Sequence, residues 1–137
     1  MEEPMTDSVL VTEHPAGDRV VGQLTLNVEK TLNSLTREMV DIITDRLEAW
    51  AGDDNVVAVL IDGAGEKAFC AGGDVQALRN SCLENPGGPC EYAEHFFARE
   101  YRMNYLLHTY RKPLICWGHG VVMGGGLGIL AGCRYRV

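Results

Sequence analysis

Two short stretches of this chain combine residue types and spacing that suit chemistry. In Phe69-Cys70-Ala71-Gly72-Gly73-Asp74, and again in Met123-Gly124-Gly125-Gly126-Leu127-Gly128, an apolar run ends in consecutive glycines just before a helix begins. Glycine costs backbone entropy, so such runs answer a need. One need is the close approach of another backbone. The other is a free N–H held out to an anion at the positive end of a helix. Two such N–H groups, one from each turn, make a two-donor oxyanion hole that stabilises negative charge growing on a carbonyl oxygen. Packing is the competing explanation for each turn, and on spacing alone it is the favoured one. The order G-x-G-x-x-G is absent after the first strand, so a dinucleotide site fits poorly, and without Gly-Lys-Ser/Thr a P-loop is excluded.

Other candidates are weighed on their surroundings. Phe96, Met103 and Leu107 recur at helical spacing with Glu100 on the same stripe. A carboxylate among apolar neighbours is partly desolvated and its pKa rises; at the edge of the stripe it reaches water instead. Asp74 reads as the N-cap of the helix after the first turn rather than an acid or base. Lys67 reads as a solvated lysine at a strand end, with a phosphate contact as the alternative. His119, beside Trp117, reads as structural rather than as a general base. Cys70 has no basic neighbour in sequence and reads as core packing rather than a nucleophile. His14, His95 and His108 form no metal-binding spacing, so no metal site is expected.

The elements that must position these residues follow from periodicity and breakers. Residues 8–27 read as two strands around a turn at Pro15-Ala16-Gly17-Asp18, with Val9 and Val11 alternating on the first strand. A helix follows with Thr36 as N-cap, apolar Met39, Ile43, Leu47 and Trp50, and Gly52 as its stop. Val56 to Ile61 is a continuous apolar run, as a buried parallel strand would be. One or two helical turns from Asp74, a loop over Leu83–Cys90, and a long amphipathic helix from Glu91 come next; Pro113 forbids its continuation. A strand from Pro113, the second glycine turn with its helix, and a last strand in "RYRV" end the sequence. Strands alternating with helices predict an α/β fold with parallel strands.

Bulk properties narrow the class. With 137 residues, 46% hydrophobic and 23% charged, the chain is one soluble globular domain at most. A net charge of -7 disfavours nucleic acid and anionic membrane surfaces as partners. No apolar run approaches a membrane span, and the acidic N-terminus "MEEPMTDS" has neither signal-peptide nor transit-peptide character. Five cysteines without CxxC spacing read as reduced thiols in a cytosolic-type compartment.

"KAFCAGGD" followed by "GHGVVMGGGLGI" resembles the crotonase (enoyl-CoA hydratase/isomerase) superfamily, and "LTLNVEKTLNSLTREM" resembles its first strand and helix. The resemblance implies a crotonase-like ββα spiral with parallel strands. It also implies that Gly73 and Gly125 donate the N–H groups gripping an acyl-CoA thioester carbonyl, with Ala71, Asp74 and Leu32 bordering the substrate. No cofactor is implied beyond the coenzyme A of the substrate itself. A typical hydratase carries a glutamate where this chain has Gly128, and Asn-Gly where it has His119-Gly120. "HFFAREYRMN" together with "GHGVVMGGGLG" is similar instead to the 3-hydroxyisobutyryl-CoA hydrolase branch, in which the glutamate matching Glu100 contacts substrate.

The expectation is therefore a short-chain acyl-CoA thioester hydrolase of the valine-degradation type. Enoyl-CoA hydratase/isomerase activity and non-catalytic CoA binding are the alternatives, and nucleotide binding is a distant fourth. The family's domain is about twice this length and carries further catalytic carboxylates beyond residue 137. Residues 1–137 are thus expected to be the N-terminal part of a single acyl-CoA-binding domain, a truncated spiral. It would associate with a missing C-terminal half or assemble into homo-oligomers such as trimers. The expected location is the cytoplasm, or the mitochondrial matrix if a transit peptide has been removed.

Overall fold

The structure, a computed structural model, describes residues 7–84 and 86–137. Most of the acidic N-terminal stretch and Asn85 of the expected loop lie outside the described residues.

The chain opens with an antiparallel hairpin, β1 (Val9–Ala16) and β2 (Arg19–Leu26). The turn is tighter than expected: Pro15 and Ala16 are paired, leaving Gly17-Asp18 as the corner. Pro15 is tolerated because β1 is the edge strand and its missing N–H leaves no ladder bond unmade. The expected inward Val11 is instead exposed and only Val9 of that pair is buried, since β1 has a neighbour on one side only.

Beyond a single 3₁₀ turn (Glu29–Thr31) comes α1 (Arg37–Ala51). Thr36 caps it, its hydroxyl accepting from the Met39 N–H at 3.1 Å, and Met39, Ile43, Leu47 and Trp50 are buried. Then follow β3 (Val56–Gly63), β4 (Ala68–Cys70), α2 (Val75–Glu84), α3 (Glu91–His108), β5 (Leu114–Cys116), β6 (Val121–Val122), α4 (Gly125–Gly132) and β7 (Tyr135–Arg136). The main sheet runs β1-β2-β3-β5-β7, with β2, β3, β5 and β7 parallel. Mostly parallel strands with helices between them make the α/β class expected from the sequence.

Two features differ from expectation. α2 runs ten residues rather than one or two turns, taking Leu83 and Glu84 from the expected loop; nothing breaks a helix before Pro86. And β4 and β6, which the sequence hides inside the two glycine turns, pair in parallel as a separate two-stranded sheet. Three and two residues are too few to show any alternation.

The core lies between the main sheet and the helices, with Leu24, Leu26, Ile61, Phe69, Phe96 and Met103 fully buried. Each contributes about 1.5–3 kcal/mol of hydrophobic burial. α3 packs on α1, its Phe96 and Met103 buried, with ion pairs at the rim, Arg99 with Asp41 and Arg102 with Glu48, each 2.7 Å. These rim pairs, the first part-buried and the second exposed, set the register of the two helices more than they add stability.

Candidate active site

The small sheet brings the two glycine turns together. The Phe69 N–H donates to the His119 carbonyl at 2.7 Å, the Val121 N–H to Lys67 at 3.1 Å and the Met123 N–H to Cys70 at 3.1 Å. Both turns thus leave the same sheet edge side by side. They touch through glycine: a Cβ built on Gly72 would stand 3.3 Å from the Met123 carbonyl oxygen, and one on Gly124 would stand 3.6 Å from the Gly72 Cα. Behind them, a Cβ on Gly126 would overlap the Cys70 carbonyl oxygen and lie 2.6 Å from the Cys70 Cβ. Only glycine lets α4 start this close to β4.

The first turn is held by hydrogen bonds to the segment before α1. Ala71 donates to the Leu32 carbonyl at 2.9 Å, Leu35 donates to the Gly72 carbonyl at 2.6 Å, and Asp74 donates to the Leu35 carbonyl at 2.8 Å. Asp74 Oδ1 accepts from the Ala77 N–H at 3.1 Å, so its side chain caps α2, as the sequence suggested. In between, the Gly73 N–H has no protein acceptor among the described residues, and neither has the Gly125 N–H at the first position of α4. The Gly73 nitrogen is 3.7 Å from where a Cβ on Gly125 would stand. Two unspent backbone donors on neighbouring helix starts can take one oxygen anion between them.

Glu100 joins them from α3. Its Oε2 is 3.1 Å from the same Cβ position on Gly125, and it makes no hydrogen bond or ion pair among the described residues. Burial pushes its carboxyl above the ordinary carboxylate value. The other members of its stripe, Phe96, Met103 and Leu107, are buried as the spacing required. The Phe96 ring lies 3.5 Å from the Cβ position of Gly73, flooring the first turn.

Leu32 sits on a groove of about 380 Å³ that also includes Glu29, Asn33, Gly65 and Lys67. Its carbonyl bonds Ala71, so it borders both the groove and the first turn. Lys67 is therefore in the groove, not on an unrelated surface. His119 is structural, its Nε2 2.7 Å from the Gly65 carbonyl oxygen. Burial raises the Cys70 thiol to about 11, which leaves it a core residue with no thiolate to offer.

Two residues of this region escaped the sequence analysis. Asn33 is buried, accepting from the Val28 N–H at 2.8 Å and donating to the carbonyls of Ala64 and Ala68 at 3.0 Å each. It ties the 3₁₀ turn to β3 and β4 and so fixes Leu32. The only local hint was the residue type, since asparagine tolerates the left-handed backbone found there (φ 57). Asn104, one turn beyond Glu100, has its Nδ2 3.6 Å from the Cβ position of Gly128, and its Oδ1 is buried without a partner. The i, i+4 spacing from Glu100 was a signal available in the sequence.

A spiral of parallel strands in which two glycine turns meet beside a carboxylate defines a crotonase-type protein. The enoyl-CoA hydratase/isomerase family profile matches residues 21–137, and the chain belongs to that family. It is 40% identical over 116 residues to the mitochondrial 3-hydroxyisobutyryl-CoA hydrolase of Danio rerio, covering 85% of this chain and 29% of that protein. It is 38% identical over 112 residues to the small ribosomal subunit protein mS47 of Neurospora crassa, covering 82% of this chain and 22% of that one. The crystal structure of a carnitinyl-CoA dehydratase from Mycobacterium thermoresistibile superposes with a TM-score of 0.85 at 44% identity, covering 96% of this chain and 36% of that one. The chain thus spans less than a third of the length of these two curated relatives. Among the described residues no helix is long and apolar enough to cross a membrane.

Proposed function

We propose that this chain supplies the carbonyl-binding part of an acyl-CoA thioester hydrolase of the 3-hydroxyisobutyryl-CoA hydrolase type. The observation that carries the reading is the pair of unspent N–H groups, Gly73 and Gly125, on touching turns with the unpaired Glu100 carboxylate beside them.

In this reading the thioester carbonyl oxygen sits between the two N–H groups. As a nucleophile adds to the carbonyl carbon, the π pair moves onto that oxygen, and the two donors and the dipole of α4 stabilise the charge. Collapse of the tetrahedral intermediate expels the coenzyme A thiolate. Glu100 accepts a hydrogen bond from the acyl group and fixes its orientation. Ala71, Asp74 and Leu32 border the substrate by backbone contact, and the groove with Leu32 and Lys67 takes part of the coenzyme A. No cofactor is required, because coenzyme A arrives with the substrate. The carboxylates that activate the nucleophile belong to a segment beyond residue 137, so residues 1–137 act as the N-terminal part of one acyl-CoA-binding domain. Reduced thiols suit the cytoplasm or the mitochondrial matrix.

Gly128 favours hydrolysis over the hydratase/isomerase alternative, since it puts no carboxylate where a hydratase has one. The likeness to a ribosomal subunit protein supports a second reading, a non-catalytic fragment of the fold. One assay separates the three. The full-length protein, carrying residues 1–137 together with the segment that supplies the activating carboxylates, is mixed with 3-hydroxyisobutyryl-CoA while free thiol is followed, and with crotonyl-CoA while enoyl absorbance is followed. Thiol release without absorbance change is expected. Absorbance loss alone transfers the protein to the hydratases, and silence in both assays with retained CoA-thioester binding leaves the non-catalytic reading.

A further inference from the structure

Two cysteines that the site does not use flank the segment between α2 and α3. Cys82 lies near the end of α2 and Cys90 is the N-cap of α3. Their sulfurs are 2.8 Å apart, the Cys82 thiol donating to Cys90. That is about 0.8 Å longer than a disulfide bond, so the two sulfurs are within bonding reach of each other. Both are free thiols; Cys82 is exposed and Cys90 partly so, whereas Cys70, Cys116 and Cys133 are buried. A soluble oxidant reaches the first two and not the others.

The pair is chemically unequal. Cys90 stands at the positive end of an 18-residue helix, which favours a thiolate there. Ser81 Oγ lies 3.3 Å from its sulfur. Hydrogen bonding with Cys82, then with Ser81, then with the Ala93 N–H holds the Cys90 thiol below its ordinary range against desolvation and the charge of Glu94, while the shared bond raises Cys82. A thiol whose pKa is lowered, with a second thiol in contact to resolve it, is the composition of a peroxide-reactive pair.

We infer that Cys82 and Cys90 form a redox modification site, a reversible disulfide made by a hydroperoxide that staples the end of α2 to the start of α3. The Cys90 thiolate attacks one peroxide oxygen and the O–O bond breaks. Sulfur is oxidised to the sulfenic acid, and the departing oxygen leaves as hydroxide, or as alkoxide from an organic peroxide. The Cys82 thiol then attacks the sulfenic sulfur, the S–S bond forms, the S–O bond breaks, and water leaves with the Cys82 proton. Two thiols and one hydrogen peroxide yield one disulfide and two waters. The link acts on a weakly held element. α2 has no fully buried residue and springs from the Gly73-Asp74 turn, so covalent anchorage at its far end restrains a helix that packing does not.

Peptide mapping after a brief treatment with hydrogen peroxide, with alkylation under denaturing conditions, tests this. The expected product is a Cys82–Cys90 link, about 2 Da lighter than the two thiols and reversed by dithiothreitol, with the other three cysteines fully alkylated. Cys82→Ser is expected to arrest oxidation at a Cys90 sulfenic acid that dimedone traps. Full alkylation of Cys82 and Cys90 after peroxide overturns the inference, as does a link from either to any other cysteine of the same or another molecule. Dimedone capture on a cysteine other than Cys90 in the variant overturns it equally.

Discussion

The two glycine turns leave the same small sheet for the same place, yet they are built by different forces. The first, Cys70–Asp74, is pinned by hydrogen bonds: three to the segment between Leu32 and Leu35 and one from the Asp74 cap. The helix that follows it buries no residue. The second, Met123–Gly126, has one hydrogen bond to the first, from the Met123 N–H to the Cys70 carbonyl, and is otherwise set by contact. Gly126 abuts the Cys70 carbonyl, Gly124 meets Gly72, and α4 continues inward to buried Ile129 and Gly132. One donor is thus positioned by polar bonds on a lightly held helix, the other by steric fit on a packed one. A hydrogen-bonded turn tolerates side chains where space allows; a contact-fitted turn does not.

The largest test of that difference is on the donors. Gly125→Pro removes one N–H while suiting the first position of a helix. In the full-length protein it is expected to cut acyl-CoA turnover about 10²–10³-fold with the fold intact by circular dichroism. Turnover unchanged in the folded variant breaks the shared role of the two turns. Next is the steric side. Gly126→Ala drives a Cβ into the Cys70 backbone and is expected to cost about 3 kcal/mol in urea unfolding. A cost near zero would mean that the second turn is no more contact-fitted than the first. On the hydrogen-bonded side, Asp74→Ala loses one cap and is expected to cost about 1 kcal/mol.

Two smaller effects sharpen the contrast. Gly128 has only Asn104 near it, at 3.6 Å or beyond, so Gly128→Ala on α4 is expected to stabilise by about 0.5–1 kcal/mol. A loss there would extend the tight fit of Gly126 further along α4. The smallest concerns Glu100, whose carboxyl is raised above its ordinary 4.5 by desolvation. The folded state holds that proton more tightly than the unfolded chain does. Its contribution to stability is therefore full below the unfolded pKa and lost as pH rises through the folded one. Glu100→Gln is expected to raise stability at neutral pH by a few tenths of a kcal/mol, partial exposure keeping it small, and to change nothing in acid. Parallel stability curves for the two proteins across that range would place Glu100 in water, away from both turns.

The helices were legible because their signals are local. Thr36, the four apolar residues of α1 and Gly52 lie within one helix and its caps, so the sequence fixes them without reference to anything distant. Asp74 as a cap and the Phe96–Leu107 stripe are of the same kind. Val11 and the true length of α2 were misread because edge exposure and a missing breaker depend on what surrounds the segment.

The sequence by itself thus determined the α/β class, the helix faces and the presence of two glycine-led helix starts. Only the tertiary structure decided that these starts meet, that Glu100 faces the Gly125 donor, that Asn33 clamps the Leu32 turn, and that Cys82 lies against Cys90. Caps and helical periodicity act within a few residues along the chain. The parallel pairing of Ala68 with Val121, which makes the site, joins residues separated by two helices and a strand, and no window of sequence contains both.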